Sequence, residues 1–244
     1  MLFNENNIYP KFAFNNQASF SFDNAKLIIS LPVIENEPQN LDYVSQPEFF
    51  NKVDTNDWER SFEELPMLTL AKHIFICKDS TTLSHVAECL LNTTVFEATQ
   101  QDCDVNNLLS QSFFSDFALR LLDYSYPTSQ EHLGTTNDIK NLKNQYNQDV
   151  FEHPVLNWTT MTIQDHPDET PTLIATIPIN YQFFLVVHIR ITKLTYSRHK
   201  NPYNNNQLEL FTISLFKDFL SHIKIEYSPE LIGIIQSLKS KTPA

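Results

Sequence analysis

Residues 155–194, VLNWTTMTIQDHPDETPTLIATIPINYQFFLVVHIRITKL, decide the fold. Val155–Ile163, Thr172–Ile179 and Tyr181–Leu194 read as three strands, rich in β-branched and aromatic residues and bounded by turn chemistry. An HPDETP turn separates the first two, and Ile179-Asn180 forms a tight corner before the third. Connections this short join antiparallel neighbours, because a parallel return needs a dozen or more residues. In the third strand Phe183, Leu185, Val187, Ile189 and Ile191 make an unbroken apolar face. The opposite face begins apolar at Phe184 and Val186 and turns polar at His188, Arg190 and Thr192. One face therefore belongs to a core, and the other is solvated or covered at one end only.

Outward from this meander, the loop SRHKNPYNNNQ leads to an amphipathic helix at about 208–223, with Leu208, Phe211, Leu215, Phe219 and His222/Ile223 on its core face. Ser228-Pro229 starts a last helix, Pro being favoured in the first turn. Near the N-terminus, Phe12 to Phe22 and Lys26–Pro32 read as a hairpin around Asp23-Asn24. Residues 35–47, with Pro38 and Pro47, read as an exposed loop, and Glu48–Glu64 as an irregular helix stopped by Pro66. Leu68–Lys78 reads as a strand, and Asp79-Ser80 then caps a helix at about 80–92 with Leu83, Val86, Ala87, Leu90 and Leu91 on one face. A short strand Thr93–Ala98, a helix from Asp104 to about Asp123 and a polar helix at 136–148 complete the pattern. The expected fold is α+β, an antiparallel sheet (the C-terminal meander) packed by helices, with a more helical acidic N-terminal half. It is expected as a single domain over 1–244, with room for a seam between two lobes near 125–150.

Composition narrows the function classes. The chain has 244 residues, 41% of them hydrophobic and nineteen of them Phe, enough to bury a full core. Only two residues are glycine, Gly134 and Gly233, where about 7% is usual. Walker loops, dinucleotide fingerprints, kinase lids and nucleophile elbows each need clustered glycines, so none can be written here. MLFNENNIYPKF has no basic stretch followed by an apolar one, and no run reaches the ~18 apolar residues of a membrane span. Cys77, Cys89 and Cys103 cannot all pair within one chain, which suits a reducing compartment. The expected location is cytoplasmic, with no membrane association.

The net charge is −12, of which −11 lies in residues 1–130. Residues 35–64 hold nine acids against Lys52 and Arg60. Such a field repels phosphate backbones, excluding nucleic acid as a partner, and speeds encounter with a basic protein. His73…Cys77 and His85…Cys89 suggest a zinc site, but four residues of strand span ~13 Å and separate the first pair too far. Cys103 sits between Asp102 and Asp104, which disfavour its thiolate. Asp165, His166, Asp168 and Glu169 are turn chemistry before they are a cation site, since no glycine makes the sharp bend of a calcium loop. His188 and Arg190 share a polar strand face able to hold a carboxylate or phosphate, though such residues commonly cover a sheet rim. The loop Lys193, Arg198, His199, Lys200 with Tyr196 and Tyr203 mixes cations and aromatics, but the whole-molecule charge opposes RNA binding.

The segment with the strongest functional signature is the acidic one, where Tyr43, Phe49, Phe50, Trp58 and Phe62 stand among carboxylates. Aromatic residues supply the anchors of interfaces. The expected function is a cytoplasmic protein-binding module, an immunity or antitoxin-like inhibitor that occludes a basic toxin or effector. Its partner-binding residues are Glu48, Asp54, Asp57, Trp58, Glu59, Phe62, Glu63 and Glu64, with no cofactor, no metal and no catalytic residue. One rival is a hydrolase-type enzyme using His188 or the 165–169 carboxylates. A second is an adaptor or chaperone in a larger assembly. The sequence leaves the oligomeric state open.

Overall fold

Alternating side chains make long strands wherever both flanks of the backbone find partners, and this chain does so chiefly at its centre. The computed structural model describes residues 8–9, 12–34, 58–60, 65–79, 85–98, 108–125, 142–144, 146–164, 170–194 and 203–241. In chain order these form β1 (Ile8–Tyr9), β2 (Phe12–Phe22), β3 (Ala25–Ile34), β4 (Glu59–Arg60), β5 (Pro66–Asp79), β6 (His85–Glu97), α1 (Gln111–Ser125), β7 (Asp149–Phe151), β8 (Trp158–Ile163), β9 (Thr172–Pro178), β10 (Phe183–Lys193), α2 (Asn205–Ser221), β11 (Ile223–Tyr227) and α3 (Pro229–Lys241). A large sheet of eight strands runs β1-β5-β6-β10-β9-β8-β7, with β4 on β5, and a small one runs β11-β3-β2. Every pairing is antiparallel.

The three strands β8–β10 follow the reading of residues 155–194, β7 adds an edge strand the sequence reading did not assign, and Asn180 makes the corner by accepting from the backbone N–H groups of Gln182 and Phe183 at 2.8 Å. Phe183, Leu185, Val187, Ile189 and Ile191 all point into the main core, Leu185 to Ile191 with no exposure. Burial of each such side chain stabilises by roughly 1.5–3 kcal/mol. Over this inner face lies α2, burying Leu208, Phe211, Thr212, Leu215, Phe216, Phe219 and Leu220 at helical spacing. Asn204 caps α2 in a reciprocal box with Gln207. The small sheet and α3 close the same core through Phe20, Leu27, Ile29, Ile223, Ile225, Leu231 and Ile235. Tyr227 Oη donates to the Pro178 carbonyl at 2.7 Å, tying the small sheet to the large one.

Several expectations need correction. Of the helix placed at 80–92, residues 85–92 lie in strand β6 and 80–84 lie outside the described residues, so His85 and Cys89 stand four strand steps, about 13 Å, apart rather than as partners on one helical face. Its apolar spacing fits both periods, and pairing along β5 on one side and β10 on the other decides for strand. Residues 223–227 continue as a strand because Ile223, Ile225 and Tyr227 alternate inward against β3 while Lys224 and Glu226 face out. A more helical N-terminal half is not found. Among the described residues before 126, strands β1–β6 outnumber the single helix α1, and the sheet draws β5 and β6 from that half. Of the helix expected at 48–64 only 58–60 are described, with Glu59–Arg60 in strand β4; the helix of 136–148 is described only at 142–144 and from 146, and Asp104 lies outside the described residues.

Candidate functional site: a half-covered sheet face

Among the described residues, the second face of the large sheet is covered over half its extent. Helix α1 lies there because its aromatic stripe matches the apolar end of β10. Phe184 stacks on Phe96 at 5.4 Å and meets Phe114 and Phe117 edge-on at 5.9 and 5.5 Å. Ala118, Leu119 and Leu122 continue over Met161, Ile163 and Ile174. Polar contacts fix the helix along its length. Ser115 Oγ and Thr159 Oγ1 share a hydrogen bond at 2.9 Å, Gln111 Oε1 accepts from Asn157 N at 3.0 Å, and Tyr146 Oη donates to Asp123 Oδ1 at 3.0 Å.

Beyond α1 the strand register lays out three rows of side chains on this outer face. The first is Lys72, Asn92, His188; the second Ile74, Leu90, Arg190; the third Ile76, Glu88, Thr192. Ile74 is 53% exposed and Ile76 37%, and Leu90 is half-buried. Lys78 extends the β5 column outward. Sequence reading found His188 and Arg190 on one face but missed Lys72, Ile74, Ile76, Leu90 and Asn92 as their neighbours. The alternation of LTLAKHIFICK carried the signal for β5; the helical reading of 80–92 hid the two residues on β6 between it and β10.

His188 faces Asn92 on one side and Ile174 on the other, so no carboxylate stands directly opposite it. Burial, and then the Arg190 charge, hold its imidazole below the ordinary histidine range. Among the described residues, neither His188 Nε2 nor Asn92 Oδ1 has a hydrogen-bond partner.

His73, Cys77 and Cys89 are turned inward. His73 stacks on Phe75 at 5.7 Å in the core, and burial brings its pKa down to about 4. Burial pushes Cys77 up to about 12 and raises Cys89 as well, leaving both as inert apolar residues. Among the described residues no group of three or more His, Cys, Asp or Glu could hold a metal ion. Nor is any described helix long and apolar enough to cross a membrane.

Of the acidic segment, Trp58 is half-buried with its ring 5.4 Å from Phe183, spending much of its surface on the core. Glu59 stands opposite Met67 in β4. Glu48, Asp54, Asp57, Phe62, Glu63 and Glu64 lie outside the described residues, as do Cys103, Arg198, His199, Lys200 and residues 165–169. Tyr203, read in the basic loop, is buried. Compared with known proteins, the chain matches no family model, no curated protein and no solved structure.

Proposed function

We propose that this chain is a protein-binding module that acts by covering its partner, in the manner of an immunity or antitoxin-like inhibitor. The observation that supports this reading most directly is the half of the outer face that no described element covers, where the exposed Ile74 and Ile76 adjoin the half-buried Leu90 on paired strands. Contiguous exposed apolar residues rimmed by charge mark association surfaces. A net charge of −12, concentrated in the first half, adds a long-range field. Glu48, Asp54, Asp57, Glu59, Glu63 and Glu64 would draw in a basic partner body and accelerate encounter.

Capture from native lysate tests this, comparing the wild-type chain with Ile74→Asp/Ile76→Asp and identifying retained proteins by quantitative mass spectrometry. One protein held in stoichiometric amount by the wild type and lost from the double variant is the expected result. A partner retained equally by both, or no stoichiometric partner at all, overturns the reading.

A further inference from the structure

The large sheet separates two hydrophobic interiors, and α1 belongs to one side only. Among the described residues, the main core on the inner face draws on both sheets, α2 and the last helix α3, and on no residue of α1. Helix α1 packs instead into smaller clusters on the outer face. Phe114 joins Leu108 and Phe184 in one, and Ala118, Leu119 and Leu122 join Met161, Ile163 and Ile174 in the other. Each strand of the large sheet is paired with other strands, so no ladder depends on α1.

The two helices on opposite faces are also held differently. Over residues 111–123, α1 buries Phe114, Ala118, Leu119 and Leu122, whereas α2 buries seven side chains, three of them Phe. Much of the remaining attachment of α1 is polar: Ser115 with Thr159, Gln111 with Asn157, Asp123 with Tyr146, and Asp116 with Lys143 at 3.0 Å. Water replaces such bonds at small net cost, so they orient the helix more than they hold it. Asp123 also stands in the last turn, at the negative end of the helix dipole. A lone helix of 15 residues is marginal in water, so undocking and unwinding are one event. We propose that α1 is a flap, which leaves the sheet and unwinds as a unit while both sheets, α2 and α3 stay folded. Its opening bares a latent apolar face of Phe96, Phe184, Val186, Met161, Ile163 and Ile174, laid across the adjacent strands β6, β10, β9 and β8. Contiguous apolar surface of this kind takes apolar ligands and partners, and the closed flap withholds it. The flap stands whether or not the chain is a binding module.

Native-state amide exchange of the full chain in urea below its unfolding midpoint tests this. Protection across Phe114–Leu122 is expected to follow one opening isotherm, roughly 100-fold less protected than β10 and α2. A cross-link supplies the control, because Ser115 Oγ and Thr159 Oγ1 stand 2.9 Å apart. Oxidised Ser115→Cys/Thr159→Cys, carrying Cys103→Ser to prevent mispairing, should bring α1 to within about tenfold of α2, and reduction should restore the wild-type difference. The dye 8-anilinonaphthalene-1-sulfonate should bind the wild type in the same urea range and leave the oxidised variant unstained. Independently of the cross-link, Phe114→Ala should speed exchange in α1 about tenfold while β10 and α2 keep their protection. A single isotherm shared by α1, β10 and α2 overturns the flap. So does exchange or dye binding that the oxidised cross-link leaves unchanged, or a Phe114→Ala variant that loosens all three elements equally.

Discussion

Tyr203 Oη donates a hydrogen bond to Asp79 Oδ2 at 2.5 Å, joining residues 124 positions apart. Asp79 ends β5 and Tyr203 precedes the cap of α2, so the pair sets where that helix begins over the sheet. Both residues are buried, and a hydrogen bond to a charged group contributes about 1.5–3 kcal/mol. Tyr203→Phe is expected to lower unfolding stability by about 1–3 kcal/mol, read from urea midpoints at neutral pH. A variant indistinguishable from wild type would show that the contact contributes nothing.

The same hydroxyl gives the fold an alkaline limit. Burial, then the hydrogen bond and charge of Asp79, raise the Tyr203 phenol well above its usual value of 10.0, and burial does the same at Tyr227. The folded state therefore keeps protons that the unfolded chain releases. Their contribution is fully present below pH 10.0 and is lost as the pH rises above it. Urea midpoints taken across this range should fall with rising pH, and should fall less steeply in Tyr203→Phe.

Acid acts in the opposite sense through His73. Its pKa drops from 6.5 to about 4 on folding because the 3%-exposed ring is desolvated. The unfolded chain binds the proton more readily, so the contribution is present above 6.5 and lost as the pH falls toward 4. The shift corresponds to about 3 kcal/mol at most. His188 and His153, lowered by burial first, add to the same slope. Replacing His73 with Gln should flatten the loss of stability between these limits, whatever it does to stability at neutral pH.

Where strand character was written in sequence-local alternation, it was legible. The hairpin about Asp23-Asn24, the meander of 155–194 and the two faces of β10 all follow from period-2 burial. What failed to read was β6, whose Val86, Ala87, Leu90 and Leu91 fit a helical stripe as well as an alternating one. Only partners distant in sequence settle that ambiguity: β5 lies beside it, but β10 follows about ninety residues later. The candidate site was lost with it, since Asn92 and Leu90 connect the β5 column to His188 and Arg190. Residues 223–227 escaped for a related reason: IKIEY alternates, yet its partner β3 lies near the other end of the chain.

Placement of α1 should depend on one ring. Phe184 touches Phe96, Phe114 and Phe117, three aromatic contacts from two elements on one fully buried side chain. Phe184→Ala is expected to cost about 3–5 kcal/mol and to raise amide exchange in α1 more than in α2, which packs on the other face. Uniform loss of protection across both helices would mean that α1 has no separate dependence on this contact.

The scarcity of glycine leaves one position improvable and one where glycine is missing. Gly233 lies inside α3, exposed, with nothing within 4 Å of where a Cβ would stand. Ala there needs no rearrangement and restricts the unfolded chain, so Gly233→Ala should raise stability by about 0.5–1 kcal/mol. Asn147, in contrast, holds φ at 44° in an exposed turn, a left-handed conformation that asparagine tolerates better than other side chains. Asn147→Ala should therefore cost about 1 kcal/mol, while Asn147→Gly stays within a few tenths of wild type. Thermal unfolding of the three variants separates the cases: a destabilised Gly233→Ala would mean that α3 cannot accept a side chain there, and a neutral Asn147→Ala that the turn relaxes to ordinary φ.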